Sequence, residues 1–167
     1  MAPCVREADR VKALPSTIWK TCIADMNWER WDEDVVRLEQ QGDGGGDSNQ
    51  LLQLREGLSF IFIMKEGPVF EIPVTVLNVK QNELVEYRGS VMYGLIKVWG
   101  KIEISPSFSN ETATALSRIK YSFQLSGILG SISMWKNPTP VIHGTETGLA
   151  NIVRMSEEAA ATTTQAS

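Results

Sequence analysis

The hydrophobic period of this chain changes once, and that change constrains the fold more than any other feature. From Leu58 to Phe123 apolar and polar residues alternate, the period of strands buried on one face. From Pro140 to Glu158 the apolar residues instead recur about every 3.6 positions, the period of a helix with one apolar side. On a helical wheel Val141, Thr145, Gly148, Leu149, Ile152 and Met155 share one side, and His143, Thr147, Asn151, Arg154 and Glu158 share the other. Thr139 can cap the start, and Pro140 suits the first helical position, where a missing N–H costs nothing. One amphipathic helix after a run of strands requires a curved sheet to receive its stripe.

The alternating region divides at turn residues. Phe60, Phe62 and Met64 alternate with Ser59 and Lys65 before a turn at Gly67 and Pro68. Phe70, Ile72, Val74 and Val76 alternate with Glu71 and Thr75 as far as a turn at Gln81 and Asn82. Val85, Tyr87, Gly89 and Val91 oppose Glu86, Arg88 and Ser90, and a turn follows near Tyr93 and Gly94. Ile96, Val98, Ile102 and Ile104 face away from Lys97, Trp99, Lys101 and Glu103. After a loop at 106–111, Ala115, Ser117, Ile119, Tyr121 and Phe123 alternate with Arg118 and Lys120. Consecutive strands with short turns predict an antiparallel meander with one solvated face, which carries Glu71, Arg88, Lys101, Glu103 and Arg118. Gly127 and Gly130 loosen the approach to the final helix.

Before the meander, residues 5–14 read as a first strand. Pro15 and Ser16 open a helix with Ile18, Trp19, Cys22, Ile23 and Met26 on one face. Asn27 can cap a second short helix carrying Trp28 and Trp31; Asp32, Glu33 and Asp34 follow as solvated charge, and residues 35–39 form a second strand. The glycine-rich stretch 42–50 reads as a loop, or as a lid over a cavity. It lacks the Lys-Ser/Thr ending of a phosphate loop and the acidic spacing of an EF-hand. The whole is an α+β chain, one domain over residues 1–158, with residues 159–167 a disordered tail.

Composition narrows the function. The net charge of −4 and the lack of a basic stripe argue against nucleic acid as partner. No apolar run is long enough for a transmembrane segment, and residues 1–12 do not read as a signal peptide. With Cys4 and Cys22 the only cysteines, the chain reads as a cytoplasmic protein. One histidine and two distant cysteines do not make a metal site, and His143 falls on the polar side of its helix.

A sheet bent around a helix leaves room beneath it, and Gly148 and Thr145 are too small to fill that room. A mostly apolar cavity is therefore expected, and a fully packed interior would remove it. Its lining would be Phe62, Phe70, Ile72, Val74, Val98, Ser117, Ile119, Thr145, Gly148, Leu149 and Ile152. Tyr87 and Tyr121 share the apolar face. A buried hydroxyl without a partner costs about 1–3 kcal/mol, so each must meet a backbone group, water or ligand. They are the candidate catalytic residues, able to orient a carbonyl or act as weak acids, with Ser117 a possible third hydroxyl. Trp99 and Trp135 are candidates for the cavity mouth.

Trp19 and Asp25 followed by Asn27-Trp28-Glu29-Arg30-Trp31 resemble the opening of the START-like (SRPBCC) superfamily, which includes the polyketide cyclase/dehydrase-like and Bet v 1-like proteins. Gly57, the strand from Glu83 to Gly89, the strand from Thr114 to Gly127 and the helix from Gly144 to Glu157 sit where that group has its corresponding elements. The resemblance spans residues 5–158 and consists of pattern. It implies a helix-grip fold holding a hydrophobic small molecule of polyketide, terpenoid or lipid type. It also implies either cofactor-free cyclisation, dehydration or isomerisation, or plain carriage of the ligand. It supplies no universal catalytic set.

Overall fold

Alternation from Ser59 onward becomes five strands of a seven-stranded antiparallel sheet, and the remaining two come from the N-terminal part of the chain. The structure is a computed structural model that describes residues 2–40, 53–65, 71–107 and 116–165. The strands are β1 (Cys4–Val11), β2 (Val35–Gln40), β3 (Ser59–Met64), β4 (Glu71–Lys80), β5 (Leu84–Val91), β6 (Ile96–Ser107) and β7 (Leu116–Ser126). Their order across the sheet is β1-β7-β6-β5-β4-β3-β2. Every neighbour beyond β1 is thus a hairpin partner, and β1 closes the row against the last strand. Register shifts between Ala8 and Val11, Val35 and Arg37, and Val76 and Asn78 mark bulges, which add the bend that a flat ladder lacks.

The predicted faces hold. Val74, Val76, Val85, Tyr87, Val98, Ile102, Ile104, Ile119 and Tyr121 are buried on the inner side. On the outer side Lys101 and Lys120 both reach Glu103, at 2.8 and 3.6 Å, and Arg118 reaches Glu7 and Asp9. The first helix starts as α1 (Pro15–Ile18) and widens into a π-helical turn, Trp19–Ile23. It still buries the expected face of Ile18, Trp19, Cys22, Ile23 and Met26. The next segment is a single 3-10 turn, Trp28–Arg30, whose start receives no side-chain cap from Asn27.

Two elements differ from expectation. Residues around Gly127 and Gly130, read as a loose approach, form helix α2 (Gly127–Lys136). The last helix, α3, runs Thr139–Gln165, so residues 159–165 continue it where a disordered tail is expected. The glycine-rich stretch 42–50, the turn at Gly67 and Pro68, Phe70 and Ala115 lie outside the described residues.

Helix α3 lies across the inner face of the sheet and is fastened at several points. Arg6 Nε meets Glu146 at 2.9 Å, the Lys12 amide donates to Glu157 at 3.0 Å, and Asn151 Nδ2 donates to the Trp31 carbonyl at 3.2 Å. Ile152 is fully buried, and its carbonyl accepts from Ser156 Oγ at 2.6 Å. Among the described residues, no helix is long and apolar enough to cross a membrane.

Candidate functional site

The 3-10 turn between Met26 and Asp32 points two indoles into the space under α3. Trp28 Nε1 donates to the Ile23 carbonyl at 3.0 Å, and Trp31 Nε1 donates to the Cys22 carbonyl at 2.8 Å. With their polar edges satisfied by the π-helical turn, the apolar bodies are free to be buried. Trp28 packs against Tyr87 with ring centroids 5.4 Å apart and against Phe60 at 5.7 Å; Trp31 meets Tyr121 edge-on at 5.9 Å. Phe62 joins the same group against Tyr87 at 5.6 Å.

This packing corrects the expected hollow. The small residues of the α3 stripe do leave room, but Trp31 occupies it. A methyl group placed on Gly148 would meet Tyr121 at 3.4 Å and Trp31 at 3.6 Å, ordinary contact distances. At Gly148 the space beneath the helix is therefore taken by the rings of Trp31 and Tyr121.

The hydroxyl end of the Tyr87 ring lies over its cross-strand partner Gly100. A Cβ at Gly100 would fall 2.2 Å from the ring, so only glycine lets the tyrosine adopt this position. The Tyr87 and Tyr121 hydroxyls hydrogen-bond each other. Burial pushes both well above the usual phenol range, and the negative charge of Asp32 adds to the effect. Both hydroxyls therefore stay protonated at ordinary pH and act as hydrogen-bond donors.

Asp32, which falls among solvated charges in the sequence, is close enough for its charge to act on both tyrosines. Part of the residue reaches water, but its carboxyl is crowded by protein. Burial pushes that carboxyl up to about 7, against a pull from the Asp34 amide, which donates to Oδ1 at 3.1 Å, and with a push from the Asp34 and Glu33 charges. It directly follows Trp31, whose side chain is anchored beneath the helix. A run of three acids at 32–34 gives no periodic signal of that turn.

The other candidates sort clearly. Phe62, Val74, Ile119, Thr145, Gly148 and Ile152 are all buried around the aromatic group. Ile72 is half-buried, and Phe70 lies outside the described residues. Two hydroxyls are already engaged: Ser117 Oγ donates to the Ala13 carbonyl and Thr145 Oγ1 to the Val141 carbonyl, each at 2.6 Å. Ser117 thus ties β7 to the segment before α1 and does not join Tyr87 and Tyr121. Leu149 and Val98 border grooves that open outward. The first, about 520 Å³, has Ala8, Leu149 and Val153 as its floor between β1 and α3. The second, about 620 Å³, lies at the strand ends near Arg88, Val98 and Trp99. Trp99 stands on the outer face with Nε1 donating to Glu86 at 2.8 Å, and Trp135 is 78 % exposed on α2. Neither is at the mouth of an inner cavity. His143 is exposed, as its wheel position predicts.

No protein-family model matches the chain, and no curated protein matches it. Solved structures do match. A hypothetical protein from Helicobacter pylori aligns with a TM-score of 0.68 and 14 % identity, over 91 % of this chain and 86 % of its own. A protein from Nitrosomonas europaea gives 0.60 and 10 % identity over 94 % and 95 %, and one from Deinococcus radiodurans gives 0.59 and 8 % over 94 % and 98 %. Identities this low establish a shared fold, the helix-grip arrangement of a curved antiparallel sheet around a long C-terminal helix, and nothing about activity.

Proposed function

We propose that the protein binds a small hydrophobic molecule between α3 and the sheet, with Tyr87, Tyr121 and Asp32 as the polar end of the site. One observation carries this reading: two buried tyrosine hydroxyls meet inside an otherwise aromatic interior, within the field of the Asp32 charge. A core built only for stability would be simpler without them, since a buried polar network contributes only when every member is satisfied. A molecule with an apolar body and one carbonyl or hydroxyl would match the rings and the donors together. Because Trp31 packs against Gly148 of α3, binding requires its displacement, and Trp31 stands at the end of a single 3-10 turn. The resemblance to START-like proteins fits this reading, as does a cytoplasmic location for a chain with two unpaired thiols. The test is native mass spectrometry of the protein purified from its own source. A co-purifying apolar molecule is expected, and it should be lost in a Tyr87→Phe/Tyr121→Phe variant that keeps its thermal midpoint. Recovery of the bare chain alone, with no thermal stabilisation by aromatic, terpenoid or polyketide-like compounds, would end this proposal.

A second reading, cofactor-free proton transfer leading to cyclisation, dehydration or isomerisation, is favoured specifically by Asp32. A carboxyl that titrates near neutrality can give and take a proton, while the tyrosine pair holds the developing enolate oxygen. Incubating the protein with an apolar ketone in D2O should accelerate exchange at the α-carbon, and Asp32→Asn should abolish that acceleration without abolishing binding. Exchange at the buffer rate would leave carriage alone.

A further inference from the structure

Helix α2 turns its apolar side chains away from the protein. It is ten residues long, and Gly130 is the only residue it buries. Helices this short are marginal alone and normally hold their place by burying an apolar face. Here the apolar residues point to water: Ile128 and Ile132 are exposed, and so is Trp135. The helix is fixed instead through its backbone. The Leu129 amide donates to the Leu95 carbonyl at 3.0 Å, and Gly127, at φ +84°, lies so close that a Cβ would fall 2.5 Å from the same oxygen.

That contact joins α2 to the turn between β5 and β6, which also carries exposed apolar side chains. Met92 and Tyr93 both adopt left-handed backbone, φ 54° and 56°, and Tyr93 is fully exposed. Bulky residues rarely take that conformation, and here it holds a tyrosine outward at a tip. Seven of the ten large apolar side chains exposed among the described residues lie on these two segments, so the exposure is a single patch at one end of the molecule.

The charge around the patch indicates what covers it. The chain as a whole is acidic, at −4. Yet residues 87–102 and 124–145 contain Arg88, Lys97, Lys101 and Lys136 and not one Asp or Glu. The acids that flank these stretches in sequence have partners of their own, and the exposed Glu71 starts β4 at this end of the sheet. Glu86 accepts from Trp99 and Asn78, Glu103 faces Lys101 and Lys120, and Glu146 faces Arg6. Lys97 and Lys136 remain exposed beside the apolar groups. Tryptophan, tyrosine and aliphatic side chains beside exposed lysines are the composition that sits at the headgroup level of a bilayer, with the rings among the lipids and the ammonium groups on the phosphates.

We propose that the α2 end of the molecule docks on an anionic phospholipid surface. This goes beyond ligand binding and does not rest on it, because none of the docking residues belongs to the interior cluster. The experiment is sedimentation of the full chain with phosphatidylcholine vesicles, with and without phosphatidylserine. The protein should pellet with the phosphatidylserine vesicles, far less with the neutral ones, and less as salt is raised. Ile132→Ser/Trp135→Ser and Lys97→Glu/Lys136→Glu should each lower binding by about tenfold or more while leaving the thermal midpoint in place. Trp135→Ser alone keeps the test open should a double variant unfold. No binding to anionic vesicles, equal binding to both compositions, or binding untouched by the variants would overturn the proposal. So would a concentration-dependent dimer, seen by sedimentation velocity without vesicle binding and abolished by Ile132→Ser/Trp135→Ser, because the patch would then belong to a second copy of the chain.

Discussion

Trp31 and Trp135 sit in two apolar regions of similar composition and opposite fate. Trp31 is buried under α3, its N–H bonded to the Cys22 carbonyl and its ring against Trp28 and Tyr121. Trp135 is 78 % exposed on a helix that buries only a glycine. The difference shows that the burial of an aromatic residue here is decided by what the neighbouring backbone offers its polar edge and by what faces it across the fold. The π-helical turn supplies carbonyls to both interior indoles, and the α3 stripe supplies a gap lined by Gly148. Helix α2 is held by its backbone bond to the β5–β6 turn and by Gly130 against Leu125, and no element covers its outer side among the described residues.

The sharpest way to break this comparison is to remove the buried ring. Trp31→Ala should cost about 3–5 kcal/mol, the range for deleting a large core aromatic, and lower the thermal midpoint by roughly 10 °C. It should also create the hollow that the native chain fills. Isothermal titration with benzene-sized apolar compounds should then detect binding in the variant, since cavities lined by apolar groups stay dry and accept such guests. A variant as stable as the parent would mean that Trp31 is not held as described.

Gly100→Ala probes the same interior from the sheet side. The added methyl would lie 2.2 Å from the Tyr87 ring, so either the tyrosine or the strand must shift. A loss of about 1–3 kcal/mol is expected, measured by chemical denaturation. The exchange of signals between Tyr87 and Tyr121 in nuclear Overhauser spectra should weaken as the hydroxyl pair separates.

These two residues also mark how far the sequence reaches. Alternation from Leu58 to Phe123 set the strands and their inner faces, because period two leaves each side chain only one side to choose. The wheel at 140–158 placed α3 and its buried stripe for the same reason. Tyr87 and Tyr121 were therefore legible as inward residues, and their pairing required only the register. The filling of the space was not legible. Trp28 opens a 3-10 turn of three residues and Trp31 follows it, a segment too short to have a period, and the room they enter is made by elements far away in the chain. The partial burial of Asp32 was missed with them, because three consecutive acids carry no period. Helix α2 did carry a signal, Ile128, Ile132 and Trp135 at helical spacing, but two glycines and an exposed apolar face argue against a packed helix. Local pattern and global role disagree there, as they do where a surface is reserved for contact.

Asp32→Asn separates the polar end of the interior from its apolar walls. The folded carboxyl titrates near 7 and the unfolded one near the ordinary 3.8, so between these values the folded state holds the extra proton. Stability from this group is therefore greatest below about pH 4, falls as pH rises toward 7, and is flat above. In Asp32→Asn that dependence disappears. The variant should be more stable than the parent at pH 8 by about 1–3 kcal/mol, discounted because part of the residue reaches water, and the two should converge near pH 4. Thermal midpoints recorded from pH 4 to pH 8 for both proteins give the comparison directly. Parallel curves would place the carboxyl in solvent and remove Asp32 from the cluster.

The smallest expected effect completes the comparison with the first. Trp135→Ala removes as large a side chain as Trp31→Ala does, but from a position with little protein around it. The transfer free energy of a buried indole does not enter, and no cavity forms, so the change in stability should stay within about 0.5 kcal/mol. The informative direction is upward. If α2 holds its place through the Leu129–Leu95 backbone bond and not through its side chains, alanine, with its higher helix propensity, should leave the helix intact or slightly firmer. Hydrogen exchange at the Leu129 and Ser133 amides reads this locally. Faster exchange in the variant would show that the indole packs on the body of the protein after all, and that the two tryptophans differ in degree and not in kind.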